Sequence, residues 1–232
     1  MSQVAVVIPA YNEADRVGAT VTAARTLPGV DVVVVVDDGS RDATAVVAGK
    51  AGARALRYAR NHGKAMAMMV GAREVAELDR RRPAGGGPRH LLFLDADLGA
   101  TAGGAGPLIE PVAAGEADMT VAVFATRVRL GGHGFVVRLA GSGIRRATGW
   151  APAQPLNGQR CLTRAAFEAA RPLARGFGVE TAMTIDLMRR GMRVVDVEVE
   201  MAHRATGSDL PSQLHRARQL ADVGLALATR LR

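Results

Sequence analysis

Asp31–Val36 sets five valines in a row, Val32–Val36, and stops them at Asp37-Asp38-Gly39-Ser40. An unbroken run of β-branched residues suits a strand covered on both faces, the environment of a parallel sheet flanked by helices. The flanking chain repeats the pattern. Val4–Ile8 is a second apolar run, closed by Pro9, and Ala14–Leu27 then reads as a helix ended by Pro28-Gly29. Ala43–Gly49 reads as a helix, Ala53–Tyr58 as a weaker strand and Lys64–Leu78 as a helix; Arg80–Arg89 is a basic loop, and the strand His90–Leu94 delivers Asp95-Ala96-Asp97. This alternation predicts an α/β chain with a mostly parallel sheet and helices on both faces. Ligands of such sheets bind beyond the carboxyl ends of the strands. Ala10-Tyr11-Asn12-Glu13, Asp37-Asp38-Gly39-Ser40 and Asp95-Ala96-Asp97 are therefore expected to face one crevice.

The second half is less regular. Leu108–Ala114 reads as a helix and Met119–Phe124 as a strand. Thr126–Trp150 is rich in glycine and arginine and is the most loop-like part of the chain, although Phe135–Arg146 is also compatible with a helix. Ala165–Ala170 and Thr181–Arg190 read as helices and Arg193–Met201 as a strand. Pro211–Arg232 is a terminal amphipathic helix with Leu214, Ala217, Leu220, Ala221, Leu225 and Ala228 on one face. That face is expected to pack on its own domain or on a twin subunit, giving at most weak peripheral membrane contact and allowing a homodimer. With 232 residues, one domain over 1–232 is expected.

Apolar runs such as Val32–Val36 are far short of the roughly 18 residues of a spanning helix, and Met1–Pro9 lacks a basic leader and a small-residue cleavage site. A cytoplasmic protein is expected, consistent with the single cysteine, Cys161, which leaves any metal to oxygen or imidazole ligands. Lys+Arg number 30 against 22 Asp+Glu, a balance that suits anionic partners. Aromatic residues are only 3%, few stacking platforms for single strands, so among anionic partners nucleic acid ranks last and is not expected.

Asp95 and Asp97 are separated by one residue at a strand end, so their carboxylates leave the same side of an extended chain and can share one hard cation, Mg2+ or Mn2+. A solvated acidic turn is the plain alternative. Asp37 and Asp38 stand where an acidic residue can accept hydrogen bonds from ribose or a base edge, while Ser40 or Asp42 can cap the next helix. Lys64, just after Asn61-His62-Gly63, is placed either to reach a phosphate or to remain a solvated lysine.

Val-Ile-Pro-Ala-Tyr-Asn-Glu (7–13), Val-Val-Val-Asp-Asp-Gly-Ser-Arg-Asp-Ala-Thr (34–44), Gly-Lys-Ala (63–65) and Leu-Phe-Leu-Asp-Ala-Asp-Leu (92–98) resemble, in order and spacing, the family-2 glycosyltransferases of the Rossmann-like GT-A fold. The dolichyl/polyprenyl-phosphate sugar synthases are the nearest group in appearance. Gly-Gly-His-Gly (131–134), Pro-Leu-Asn-Gly-Gln-Arg-Cys-Leu (155–162) and His-Arg-Ala-Thr-Gly-Ser (203–208) extend the likeness over nearly the whole chain. The resemblance implies a UDP- or GDP-sugar donor held by Pro9, Ala10, Tyr11, Glu13 and Asp38, with Lys64 close by. It implies a metal on Asp95 and Asp97, the latter catalytic through it, and a phosphorylated acceptor. The halves would divide the work, 1–99 taking the nucleotide sugar and 100–232 the acceptor, with 126–150 as a lid whose Arg127, Arg129 and Arg138 meet the acceptor's charge.

Two departures from the pattern matter. Polyprenyl-phosphate synthases place a metal-binding Gln where this chain has Gly99. His203 is the expected substitute, by likeness to glucosyl-3-phosphoglycerate synthases, whose Gly-Tyr-Gly-Val-Glu is similar to Gly176-Phe177-Gly178-Val179-Glu180. The Glu-Asp pair that supplies the base of many inverting members reads Glu180-Thr181 here. Either the acceptor is already an anionic nucleophile, or configuration is retained by another route. Glu180 remains a candidate catalytic base or holder of sugar hydroxyls, or simply a carboxylate favoured by its helix N-terminus. A catalytically silent sugar-nucleotide-binding subunit and a nucleotidyltransferase are the rival readings. The intact Asp95/Asp97 pair argues against the first, and Ala10-Tyr11-Asn12-Glu13, in place of a basic glycine-rich loop, against the second.

Overall fold

A computed structural model of the chain describes residues 3–82, 86–125, 134–202 and 210–231, the last segment with side chains from 218 onward. Seven strands form one sheet: β1 (Val4–Ala10), β2 (Val30–Asp37), β3 (Arg54–Arg57), β4 (His90–Phe93), β5 (Met119–Phe124), β6 (Arg160–Leu162) and β7 (Val194–Val199), in the order β3-β2-β1-β4-β6-β5-β7. All neighbours run parallel except β6, which is antiparallel to both β4 and β5. The valine run does what its composition demands. Val35 packs on one face of the sheet with Val6, Ile8 and Leu92, while Val34 and Val36 pack on the other with Val7 and Phe93.

Helices α1 (Ala14–Ala24), α2 (Thr44–Lys50) and α4 (Gly106–Ala113), with the 3₁₀ segment Ala96–Ala105, cover the first face through Val17, Val21, Leu98 and Leu108. The second face is covered by α3 (Lys64–Arg80), α6 (Arg164–Ala169) and α7 (Val179–Arg189), where Met68, Val75, Phe167 and Met183 are buried. Phe167 stacks on Phe93 with ring centroids 5.5 Å apart, which locks α6 against β4. The start of α6 is set locally, because the Thr163 hydroxyl accepts the Ala166 N–H at 3.0 Å.

Three findings differ from the sequence reading. The strand β6 was not expected. It is three residues long and opens on Arg160, a charged residue that is nevertheless 1% exposed. Within the glycine- and arginine-rich stretch 126–150, Gly134–Thr148 is the helix α5, which settles the alternative left open there. Val136, Ala140 and Ile144 recur every four residues and are buried against Ile185 of α7 and Val223 and Leu227 of α8 (Leu210–Ala228). The terminal helix α8 does pack on its own domain, but by a different face. Val223, Ala226 and Leu227 are inside, whereas Leu220, Ala221, Leu225 and Ala228 of the expected face are exposed. Alanine and leucine occur all round this helix, so the register is decided by what it meets: Asp222 accepts the Phe177 N–H at 3.0 Å and orients α8 on the turn before α7. Among the described residues no helix is long and apolar enough to cross a membrane.

Candidate functional site

The site grows from three strand ends and two helix N-termini. Ala10 and Asp37 are register partners, and the Ala10 carbonyl accepts the Asp38 N–H at 2.8 Å, so β1 and β2 end together. The turn after β1 holds Asn12 at φ 56°, the left-handed region that asparagine tolerates better than most side chains. Asn12 N–H donates to Ser40 Oγ at 2.9 Å, Asn12 Oδ1 accepts the Arg41 N–H at 2.9 Å, and Glu13 N–H donates to Thr44 Oγ1 at 2.9 Å. Two loops that would otherwise move separately are thereby stitched into one wall. Pro9 and Glu13 are half-buried, Ala10 is buried, and Tyr11 is exposed at the rim.

The two aspartates that end β2 divide the work. Asp37 is buried and accepts the Ser40 N–H at 2.8 Å, holding its own turn. Asp38 accepts the His62 and Gly63 N–H groups at 2.8 and 2.7 Å, one on each oxygen. That grip fixes the loop before α3 and places Lys64 as the first residue of the helix.

Lys64 is the centre of the cluster. Its Nζ lies 2.8 Å from Asp95 Oδ1, just beyond β4, and 2.9 Å from Glu180 Oε1, in the first turn of α7. Burial pulls the ammonium's pKa down most strongly, but the two carboxylates together outweigh burial and hold it above its ordinary value. Lys64 is therefore a fixed cation between two acidic side chains that come from separate parts of the sequence. Glu180 is buried, while Asp95 and Asp97 are half-buried at the open side. The Asp97 carbonyl accepts from Arg16 Nη1 at 2.7 Å, which ties the acidic turn to α1.

Gly99 explains a departure noted in the sequence. Its backbone sits at φ 59°, ψ −142°, a conformation open to glycine and strained for glutamine, so the 3₁₀ segment itself selects against the missing ligand. Among the described residues no three acidic, cysteine or histidine side chains form a metal cage. The donor set at hand is two carboxylates, Asp95 and Asp97. With their hard oxygen donors, these are the residues that would hold a Mg2+ or Mn2+ ion. His203, Arg127 and Arg129 lie outside the described residues. Arg138 stands on the exposed side of α5, where it lines an open groove of about 520 Å³ with Arg145, Arg146, Ala151 and Pro152.

The sequence reading assigned no role to Gln159 or Arg160. Gln159 meets Asp95 through two hydrogen bonds, and the wholly buried Arg160 donates to the Glu180 carbonyl at 3.0 Å. Burial pulls the Arg160 guanidinium down to about 10, still well above neutrality. The available signal was the pair itself, Gln-Arg leading into an apolar Cys-Leu, a polar entry into a strand too short to be recognised.

Residues 5–138 match the model of Glycosyl transferase family 2. The glycosyltransferase AglJ of Haloferax volcanii is 30% identical over 210 residues, 89% of this chain and 65% of that protein, so this chain spans slightly less than two thirds of that relative's length. Among solved structures, glucosyl-3-phosphoglycerate synthase of Mycobacterium tuberculosis in complex with phosphoglyceric acid is similar at TM-score 0.77 and 25% identity, over 99% of this chain and 80% of that one. The same synthase with Mn2+, UDP and glucosyl-3-phosphoglycerate gives TM-score 0.76 at 25% identity over 99% and 80%. With Mn2+, UDP-glucose and glycerol 3-phosphate it gives 0.75 at 25% identity, again over 99% and 80%.

Proposed function

This chain belongs to glycosyl transferase family 2, and on that premise we propose that it moves a sugar from a UDP- or GDP-sugar to a phosphorylated acceptor, with Mg2+ or Mn2+ as cofactor. Its sheet, mostly parallel with helices on both faces, is the GT-A fold. The observation that carries the proposal is the convergence of Asp38, Lys64, Asp95 and Glu180 beyond the strand ends, with Lys64 joining the acidic strand-end turn to the α7 N-terminus.

In this reading the wall made by residues 9–13 and Asp38 receives the nucleoside. Asp95 and Asp97 would hold the divalent ion, which would supply charge neutralisation at the leaving diphosphate. Lys64 adds a fixed positive charge on the same side, favouring the anionic leaving group without reorganisation. Glu180, held by Lys64 at the base of the crevice, accepts hydrogen bonds from sugar hydroxyls or takes the acceptor's proton. Within the single domain, 1–99 serves the donor and 100–232 the acceptor. The groove on α5 supports an anionic acceptor, because Arg138, Arg145 and Arg146 line one concavity and guanidinium groups suit phosphate. That the similar synthase structures hold phosphoglyceric acid and glycerol 3-phosphate supports a small phosphorylated metabolite; a polyprenyl phosphate offers the same headgroup. We place the protein in the cytoplasm, with at most weak peripheral membrane contact.

The test offers UDP- and GDP-sugars with Mn2+ to phosphoglycerate, glycerol 3-phosphate and a short polyprenyl phosphate, and follows nucleoside diphosphate release. Release that needs both the metal and one of these acceptors supports the proposal, and the productive acceptor tells metabolite from lipid. Transfer to unphosphorylated acceptors alone, or none in the absence of chelator, contradicts it.

A further inference from the structure

Pro155–Leu162 enters the sequence analysis only through a resemblance and plays no part in the proposed reaction. In the structure this segment carries the chain into β6, between β4 and β5. Successive residues of an extended chain point to opposite sides, and here each side meets a different half of the acidic cluster. Gln159 is wholly buried and spans Asp95: its Oε1 accepts the Asp95 main-chain N–H at 3.0 Å and its Nε2 donates to Asp95 Oδ2 at 2.9 Å. One planar amide that grips the backbone and the carboxylate of the same residue sets both the position and the rotation of that carboxylate. The other oxygen, Oδ1, is the one that meets Lys64.

Arg160 does the matching task for Glu180. Its guanidinium donates to the Glu180 carbonyl at 3.0 Å, to Thr184 Oγ1 at 2.8 Å and to the Asn157 carbonyl at 2.9 Å, tying the first turn of α7 to the same loop. Gly158 completes the arrangement by its lack of a side chain. A Cβ there would collide with Lys64 Nζ and stand 3.2 and 3.3 Å from the two Asp95 oxygens. Gln159 is itself held in place, its N–H donating to Asn157 Oδ1 at 2.9 Å, and Asn157 Nδ2 donating to Gln154 Oε1 at 3.1 Å.

A glutamine buried only to fill space has no need of this two-point grip. We infer that Gln159 is a positioning residue of the donor site, which fixes the Asp95 carboxylate so that it acts through the oxygen facing Lys64. The inference rests on the donor-site reading above. Gln159→Met keeps the length and bulk of the side chain and removes both hydrogen bonds. Gln159→Glu keeps the acceptor for the Asp95 N–H but sets an oxygen where Nε2 donates.

Calorimetric titration of UDP with and without Mn2+, alongside steady-state kinetics and thermal unfolding, reads out both variants. The metal-free affinity for UDP is expected to stay within about twofold of wild type. The gain in affinity from Mn2+ should fall about tenfold in Gln159→Met, the loss expected for one charge-assisted hydrogen bond, and further in Gln159→Glu. The donor KM measured with Mn2+ should rise in step while the metal-free UDP affinity does not move, a split that a packing role does not produce. A Gln159→Met protein with the wild-type Mn2+ gain and donor KM overturns the inference and leaves the donor-site reading standing, as does failure of both variants to fold. A wild-type protein whose UDP affinity ignores Mn2+ overturns that reading and the inference with it.

Discussion

Replacing Lys64 by methionine strands two carboxylates. Lys64 Nζ stands 2.8 Å from Asp95 and 2.9 Å from Glu180, with the Lys64 side chain 26% exposed, Asp95 27% and Glu180 8%. At an effective dielectric of about 20 each contact has a Coulomb term of about 6 kcal/mol, most of which is offset by the cost of taking the charges from water. Removing one partner of a fully buried pair costs about 3–5 kcal/mol; water reaches Lys64 and Asp95, so a smaller cost, about 2–3 kcal/mol, applies here. The pH dependence has a definite sign. The folded-state pKa of Lys64 is raised, so its contribution is complete below its ordinary value and is lost only as the solution becomes strongly alkaline. Urea unfolding of wild type and Lys64→Met, with chelator present, should therefore differ by about 2–3 kcal/mol from about pH 7 to pH 9. A difference under about 0.5 kcal/mol at neutrality refutes the picture of Lys64 as the cation that holds the cluster together.

Gly158→Ala brings a methyl group against Lys64 Nζ, the mobile end of a long side chain, so the fold should survive while the ion pairs shift. A stability loss of about 1 kcal/mol with a fall in kcat of tenfold or more is expected from urea unfolding and steady-state kinetics; a variant with wild-type kcat contradicts it. Cys161 is wholly buried and its thiol is pushed up to about 12 by desolvation, so the native protein should not react with a disulfide reagent near pH 8. One equivalent should react once urea unfolds the chain, and rapid reaction of the native protein runs against the burial seen in β6.

Much of the fold is legible in the sequence because β1, β2 and β4 are apolar on both sides, which no exposed segment tolerates, and because each ends on polar residues where a parallel sheet binds its ligands. The positions of Asp38 and Asp95 follow from that pattern alone. The strand β6 does not, since its three residues begin with an arginine whose burial is made tolerable by main-chain carbonyls of Pro155, Asn157 and Glu180, acceptors that only the folded chain brings together. Gln159 was hidden for the same reason: its partner is 64 residues away. The inward face of α8 was misread because its alanines and leucines are spread round the helix, and the choice among them is made by Asp222 and the turn at Phe177. Lys64 read equally well as a phosphate contact or a solvated side chain; its second carboxylate neighbour, Glu180, depends on the approach of α7, which local sequence does not encode.

The central claim is that Asp95 and Asp97 hold one divalent ion that bridges a nucleoside diphosphate. Paramagnetic resonance of Mn2+ measures it directly, because the six-line signal of the free ion is lost on binding. Titrating the wild-type protein into Mn2+ with UDP or GDP present should remove the free-ion signal with a stoichiometry of one, far more completely than either protein or nucleotide alone. Asp97→Asn should abolish that synergy. A signal lost equally in wild type and Asp97→Asn, or a wild-type protein that leaves the Mn2+–nucleotide spectrum unchanged, would contradict the account.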